Sequence, residues 1–148
     1  MEIIRRNTDY AIRAMVNLAN KWQGEPVSAR QIADEEKFSY QLACKLLQNL
    51  HSAGLVKSEM GARGGYVLGK ASSEISLGDI VELIQGPVRL NRCVVNGCCC
   101  DKPLCPIRGK LVALQGQLDA FLGNLTLADV VKTDTGNKKL ETRKNKKN

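Results

Sequence analysis

Apolar residues recur at helical spacing near the start of the chain, where Ile12, Met15, Val16 and Ala19 fall on one side of a helix. This predicts a first helix over residues 8–21, with Asn7 or Thr8 as its N-cap. Gly24, Glu25 and Pro26 end that stretch. Ser28, followed three residues later by Gln31, is a capping-box pattern that opens a short second helix with Ile32 and Ala33 turned inward. Ser39 then caps a third helix whose apolar stripe is Leu42, Leu46, Leu47 and Leu50. Gly54 stands where a helix end favours a residue tolerant of positive φ.

Beyond Gly54 the pattern changes. Residues 55–60 alternate loosely, Gly61-Ala62-Arg63-Gly64-Gly65 turns, and Tyr66-Val67-Leu68 reads as the returning strand of a β-hairpin. Ser76 and Asp79 repeat the capping pattern before Ile80, Val81, Leu83 and Ile84, and Gly86-Pro87 stops that helix. Residues 91–105 read as a polar, cysteine-rich loop. Pro106, a favoured first helical residue, opens a longer helix through Leu111, Leu114, Leu118, Phe121 and Leu122. A last short helix is capped by Thr126, with Asp129 three residues on.

Helix, helix, turn, helix and a hairpin with a basic tip is the order of a winged helix–turn–helix. The expected fold class is therefore mainly α with a small β-hairpin wing and a long additional helix. Packing the second helix on the third through Ile32, Leu42 and Leu46 leaves Ser39, Tyr40, Gln41, Lys45, Gln48 and Asn49 on a free side suited to a major groove. Gln and Ser pair with base edges, and Lys45 suits a phosphate or a guanine. Ser28, at the start of the second helix, joins the candidate set. So do Arg63, Gly64, Gly65 and Tyr66 of the hairpin, where glycines remove bulk around a cation aimed at backbone or minor groove. The plain alternative is a helical domain whose polar face is only solvated, and winged domains also serve as protein–protein modules.

Composition narrows the classes. Hydrophobic residues at 43% suffice for a packed core, and aromatics at 4% make it aliphatic. No run of eighteen apolar residues offers a membrane span, and the start Met1-Glu2-Ile3-Ile4-Arg5-Arg6 lacks an apolar leader, so a cytoplasmic, reducing setting is expected. In such a setting clustered cysteines more often bind metal or sense redox state than form structural disulfides. The net charge of +7 argues less than its size suggests. Residues 132–148 hold seven Lys/Arg against Asp134 and Glu141, which puts +5 on a polar tail expected to be disordered and leaves +2 for residues 1–131. One histidine, no Ser-His-Asp set, no phosphate loop and no convincing carboxylate pair argue against an enzyme or a small-molecule substrate.

Four segments in this order carry a family resemblance: residues 7–15 (NTDYAIRAM), 61–70 (GARGGYVLGK), 76–81 (SLGDIV) and 125–131 (LTLADVV). Together they resemble the IscR/NsrR-type family of bacterial transcription regulators, over about residues 1–131. The resemblance implies a homodimer that binds double-stranded operator DNA through two winged domains, as a repressor. It further implies dimerisation through the helix at 106–123, with the Leu111, Leu114, Leu118 and Leu122 side against the partner. The expected organisation is a DNA-binding domain over 1–85, a cysteine-rich cluster-binding loop over 86–105, a dimerisation helix and short C-terminal helix over 106–131, and the basic tail over 132–148.

Five of the six cysteines lie in that loop: Cys93, Cys98, Cys99, Cys100 and Cys105. Cys93, Cys99 and Cys105 are each separated by five residues, wider than a zinc knuckle, and the sole histidine, His51, is remote in sequence. Thiolates so spaced suit an iron–sulfur cluster. The resemblance implies that Cys93, Cys99 and Cys105 are ligands of a [2Fe-2S] cluster, with [4Fe-4S] as the alternative, and Cys98 or Cys100 as alternate ligands. A histidine that one branch of the family places three residues after the last cysteine is Arg108 here. In the nitric-oxide-sensing branch an Asp of a Thr-Asp motif ligates from the other subunit, and Asp9 is the matching residue. Asp9 also suits the helix dipole, and Cys44 suits a plain buried position. Two other functions stay open: a cluster-free thiol switch or cysteine-metabolism regulator of the same fold, and a zinc-stapled adaptor without DNA binding.

Overall fold

Ala11 and Met15 of α1 (Arg6–Asn20), Ile32 of α2 (Ala29–Glu36) and Leu46, Leu47 and Leu50 of α3 (Tyr40–Ser52) share one buried aliphatic core. The computed structural model of the chain describes residues 2–95 and 105–132. Cys98, Cys99, Cys100 and the basic tail beyond Lys132 lie outside the described residues.

The first helix begins earlier than its apolar spacing indicates, and neither Asn7 nor Thr8 caps it. Arg5 occupies the N-cap position with no side-chain cap. Thr8 is fully buried instead, because its hydroxyl donates to Gln85 Oε1 at 2.8 Å. The α2 cap forms as expected on one side only. Ser28 Oγ accepts from the Gln31 N–H at 3.1 Å, while the Gln31 amide, expected to reach back, donates to Glu35 Oε1 at 2.9 Å. Ser39 caps α3 by accepting from the Leu42 N–H at 3.3 Å, and Gly54 closes that helix region with φ +74°.

The hairpin pairs β1 (Val56–Glu59) with β2 (Gly65–Leu68) in antiparallel register, Val56 opposite Leu68 and Glu59 opposite Gly65. Val56 and Leu68 bury their side chains at the end nearest the helices. Val27 exchanges both backbone bonds with Tyr66, at 3.0 and 2.8 Å, and so stitches the segment before α2 to the wing. Ser76 and Asp79 complete a reciprocal capping box at 3.1 and 2.9 Å and start α4 (Leu77–Gln85). Helices α1–α3 with the hairpin form the expected winged helix–turn–helix.

The region expected as continuous loop over 91–105 contains a short helix, α5 (Arg92–Val95), which places Cys93 on a helical turn. Pro106 opens α6 (Pro106–Asn124). Only Gln115 of α6 is buried, while Ile107, Leu114 and Phe121, seven residues apart, are 62%, 49% and 64% exposed. Leu122 lines the groove between α4 and α6 with Gly78, Asp79 and Val88. Residues 127–132 are helical, capped by Thr126 with Asp129, and Leu127 is fully buried after its N–H bonds the Ile75 carbonyl at 2.9 Å.

A polar seam orients α1 on α2. Arg13 and Asn17 of α1 and its C-cap residue Lys21, spaced four residues apart, meet Glu35 and Glu36. Asn17 Nδ2 donates to both carboxylates at 2.7 and 2.9 Å, Lys21 Nζ reaches Glu35 at 2.6 Å, and the Arg13 guanidinium bonds both the Glu36 carboxylate and its carbonyl. Bonds from Lys21, then Asn17 and Gln31, hold the Glu35 carboxyl down at about 2, against an ordinary value of 4.5. The folded group titrates below the unfolded one, so its stabilisation is complete above pH 4.5 and is lost as pH falls toward about 2. With the Glu35 side chain 39% exposed, screening reduces this contribution to about 1 kcal/mol. Urea unfolding of wild type and Glu35→Gln at neutral and strongly acidic pH checks it: wild type loses about 1 kcal/mol more on acidification. Equal losses would contradict it.

Candidate nucleic-acid interface and cysteine segment

The outward side of α3 follows from the spacing that builds the core. With Leu46, Leu47 and Leu50 turned in, Gln41, Lys45 and Gln48 share an exposed face, with Asn49 beside them. Ser28 and Ser39 stand exposed at the starts of α2 and α3, where each hydroxyl accepts a backbone N–H and keeps its own proton for an outside acceptor.

Tyr40 is exposed in the first turn of α3, and the Arg30 guanidinium lies 4.6 Å from its ring centroid. Arg30 carries no motif signal in the sequence; packing of α2 on α3 alone brings it to this face. Hydrogen bonding with the half-buried Cys44 thiol, one turn along α3, raises the Tyr40 phenol above its ordinary value.

At the wing, Arg63 is 86% exposed and lies 3.4 Å from the Glu25 carboxylate, itself 78% exposed. A pair so open to water is worth little, so an incoming phosphate can displace Glu25. Gly64 and Gly65 serve the fold before any ligand. A Cβ on Gly65 would stand 2.6 Å from the Val27 carbonyl, and one on Gly64 would stand 2.4 Å from the Glu59 oxygen. Half-buried Tyr66 lines one notch with Gln48, Asn49, His51, Ser52 and Ser58, so the α3 face and the wing border the same open cleft.

Cys93 on α5 and Cys105 at the N-cap of α6 are both half-buried and bracket residues 96–104. The Arg108 side chain donates through Nε to the Cys93 carbonyl at 3.3 Å and ties the two helices together. Sulfur donors of this kind suit iron. Asp9 is exposed in the first turn of α1, 3.8 Å from Arg13. Among the described residues no group of three or more His, Cys, Asp or Glu converges as a metal site, and Cys99 lies outside them. None of the described helices is long and apolar enough to cross a membrane.

Residues 4–133 match the family model Rrf2, described as an iron-dependent transcriptional regulator. The chain is 32% identical over 122 residues to the HTH-type transcriptional regulator IscR of Escherichia coli O1:K1, covering 82% of this chain and 75% of that protein. In structure it is similar to CymR, the global cysteine regulator of B. subtilis, with a TM-score of 0.79 and 31% identity, over 90% of this chain and 98% of that one. It is also similar to T. potens IscR, with a TM-score of 0.72 and 27% identity, over 88% and 87% of the two chains.

The Gly65 contact generates a test. Gly65→Ala forces the wing away from Val27 and destabilises the chain by roughly 2 kcal/mol, read as a lowered urea midpoint with the helices otherwise intact. An unchanged midpoint would show that the wing is not seated on residue 27.

Proposed function

The chain belongs to the Rrf2 family of iron-dependent transcriptional regulators, and from that premise we propose that it is a cytoplasmic, homodimeric repressor whose grip on operator DNA is set by an iron–sulfur cluster. The observation that carries the DNA-reading part is the shared cleft of α3 and wing. Gln48 and Asn49 of α3 line it with Ser58 and Tyr66 of the wing. Gln41 and Lys45 are exposed on the same helix as Gln48, and Arg63 is exposed in the turn between the two strands. In this reading residues 1–85 read the major groove with α3, and Ser28, Ser39, Tyr40, Arg63, Gly64, Gly65 and Tyr66 contact backbone and flanking groove. The stripe of Ile107, Leu114 and Phe121 is too apolar to stay in water along its whole length and meets the partner's α6.

Cys93 and Cys105, with Cys99 between them and the partner's Asp9, would hold the cluster, Cys98 and Cys100 being the alternate thiolates. A [2Fe-2S] centre fits three thiolates and one carboxylate, [4Fe-4S] being the alternative. When bound, the cluster supplies a centre that responds to cluster supply, redox state or nitric oxide. The chain's own part is mechanical. Cys105 is the residue from which α6 starts, and Asp9 lies in the first turn of α1, so ligation at both would tie the start of α6 in one protomer to the DNA-binding unit of the other. A second reading has its own support: the likeness to CymR, together with Arg108 where the cluster-supply branch has histidine, favours a cluster-free thiol or cysteine-metabolism regulator.

Protein purified without air decides between them. The cluster reading predicts a coloured preparation with stoichiometric iron and sulfide, lost in the Cys93→Ala/Cys105→Ala variant, together with a shift of about tenfold in operator affinity. A colourless, iron-free wild type with full affinity would contradict it. For the interface, Arg63→Ala weakens operator binding at moderate salt and makes the log K against log salt slope less negative by about 0.9. An unchanged slope would remove the wing from the contact.

A further inference from the structure

Two glutamine side chains grip opposite ends of the connector that joins α4 to the cysteine segment. Gln85, the last residue of α4, accepts through Oε1 from the Arg5 N–H and the Thr8 hydroxyl, both at 2.8 Å, and donates through Nε2 to the Ile3 carbonyl at 2.9 Å. Gln115, the buried residue of α6, accepts through Oε1 from the Leu90 N–H at 2.9 Å. Its Nε2 donates to the Val88 carbonyl and to Asp119 Oδ1, both at 2.8 Å. Asp119 in turn lies 3.7 Å from Arg89 of the same connector. Residues 85–90 are thus bonded at one end, through Gln85, to the start of α1 and at the other to the middle of α6.

We propose that Gln85 and Gln115 are positioning residues that make this connector a strut, through which a movement of α6 reaches the first turn of α1. The inference rests on the regulator reading above and specifies how its two halves communicate. Apolar packing between α1, α4 and α6 is non-directional and permits sliding. An amide with both its donor and its acceptor engaged is not so permissive: Gln115 is buried, where each group left unpaired costs about 1–3 kcal/mol, and half-buried Gln85 is bonded to the fully buried Thr8 hydroxyl. Val88 and Leu90 are therefore locked in register with α6, and Arg5 and Thr8 in register with the end of α4. Cys93 follows three residues after Leu90, and Asp9 follows Thr8 directly, so the strut joins neighbours of both proposed ligand groups. The Gln85 clamp is built from uncharged groups alone, whereas the Gln115 clamp also engages the Asp119 carboxylate.

Hydrogen exchange on the full chain without DNA tests the strut directly. The Arg5 amide, which bonds Gln85, is the reporter. Gln115→Leu is expected to speed exchange at residues 5–9 at least about tenfold while α2 and α3 stay protected. Thr8→Val, which keeps shape and removes one bond, is expected to loosen residues 88–90 in return. Loosening confined to the connector and α6 would overturn the proposal, because a merely local structural role moves nothing in α1. Should Gln115→Leu loosen the whole chain, Gln115→Glu, which keeps the acceptor and loses the donor, decides by the same readout. In operator titrations with iron-loaded and chelator-treated protein, Gln115→Leu narrows the affinity difference to within about twofold. A wild type with no difference would refute iron control and leave the exchange result to judge the strut.

Discussion

The orientation of α3 about its own axis is the constraint from which the rest follows. Leu46, Leu47 and Leu50 are buried on one side, with Ala43, against α1 and α2. Each buried leucine contributes about 1.5–3 kcal/mol, so turning the helix by even one residue exposes more apolar surface than a domain of this size can tolerate. The polar residues have no choice of direction: Gln41, Lys45 and Gln48 face water because the leucines cannot. The seam of Arg13, Asn17 and Lys21 with Glu35 and Glu36 then fixes how α2 lies on α1, and α2 carries Arg30 to the ring of Tyr40. The outward face is set by the inward one.

The wing obeys a comparable rule through backbone rather than side chains. Val27 pairs with Tyr66, and the approach is so close that residue 65 cannot carry a Cβ. The start of α2 and the hairpin are therefore one unit, which keeps Arg63 at a fixed place relative to α3.

What was legible in the sequence was local. The caps at Ser28, Ser39 and Ser76, the leucine stripe of α3 and the glycine-bearing hairpin each need only a few neighbouring residues, and all are present. The long-range polar bonds were not legible. Thr8 has the local look of a helix cap, yet its partner is Gln85, seventy-seven positions away. Gln115 reads as one more polar residue on an amphipathic helix, yet it is the buried one, because the Val88 and Leu90 backbone groups close over it. Leu122 shares the apolar periodicity of α6 but turns to the groove beside α4. Arg30 reaches its face only through the α2–α3 packing angle. The middle cysteines lie outside the described residues, so the cysteine reading stands on spacing and on the two thiols that flank them.

The central claim is that iron at the cysteine segment governs how two copies of α3 meet DNA. The most direct measurement is an anaerobic hydroxyl-radical footprint on an operator, taken with the protein loaded and again after chelation. The account predicts two protected half-sites about one helical turn apart in one state, and loss of one or both in the other. Identical footprints in the two states, from protein shown to hold and then to lose its iron, would contradict it.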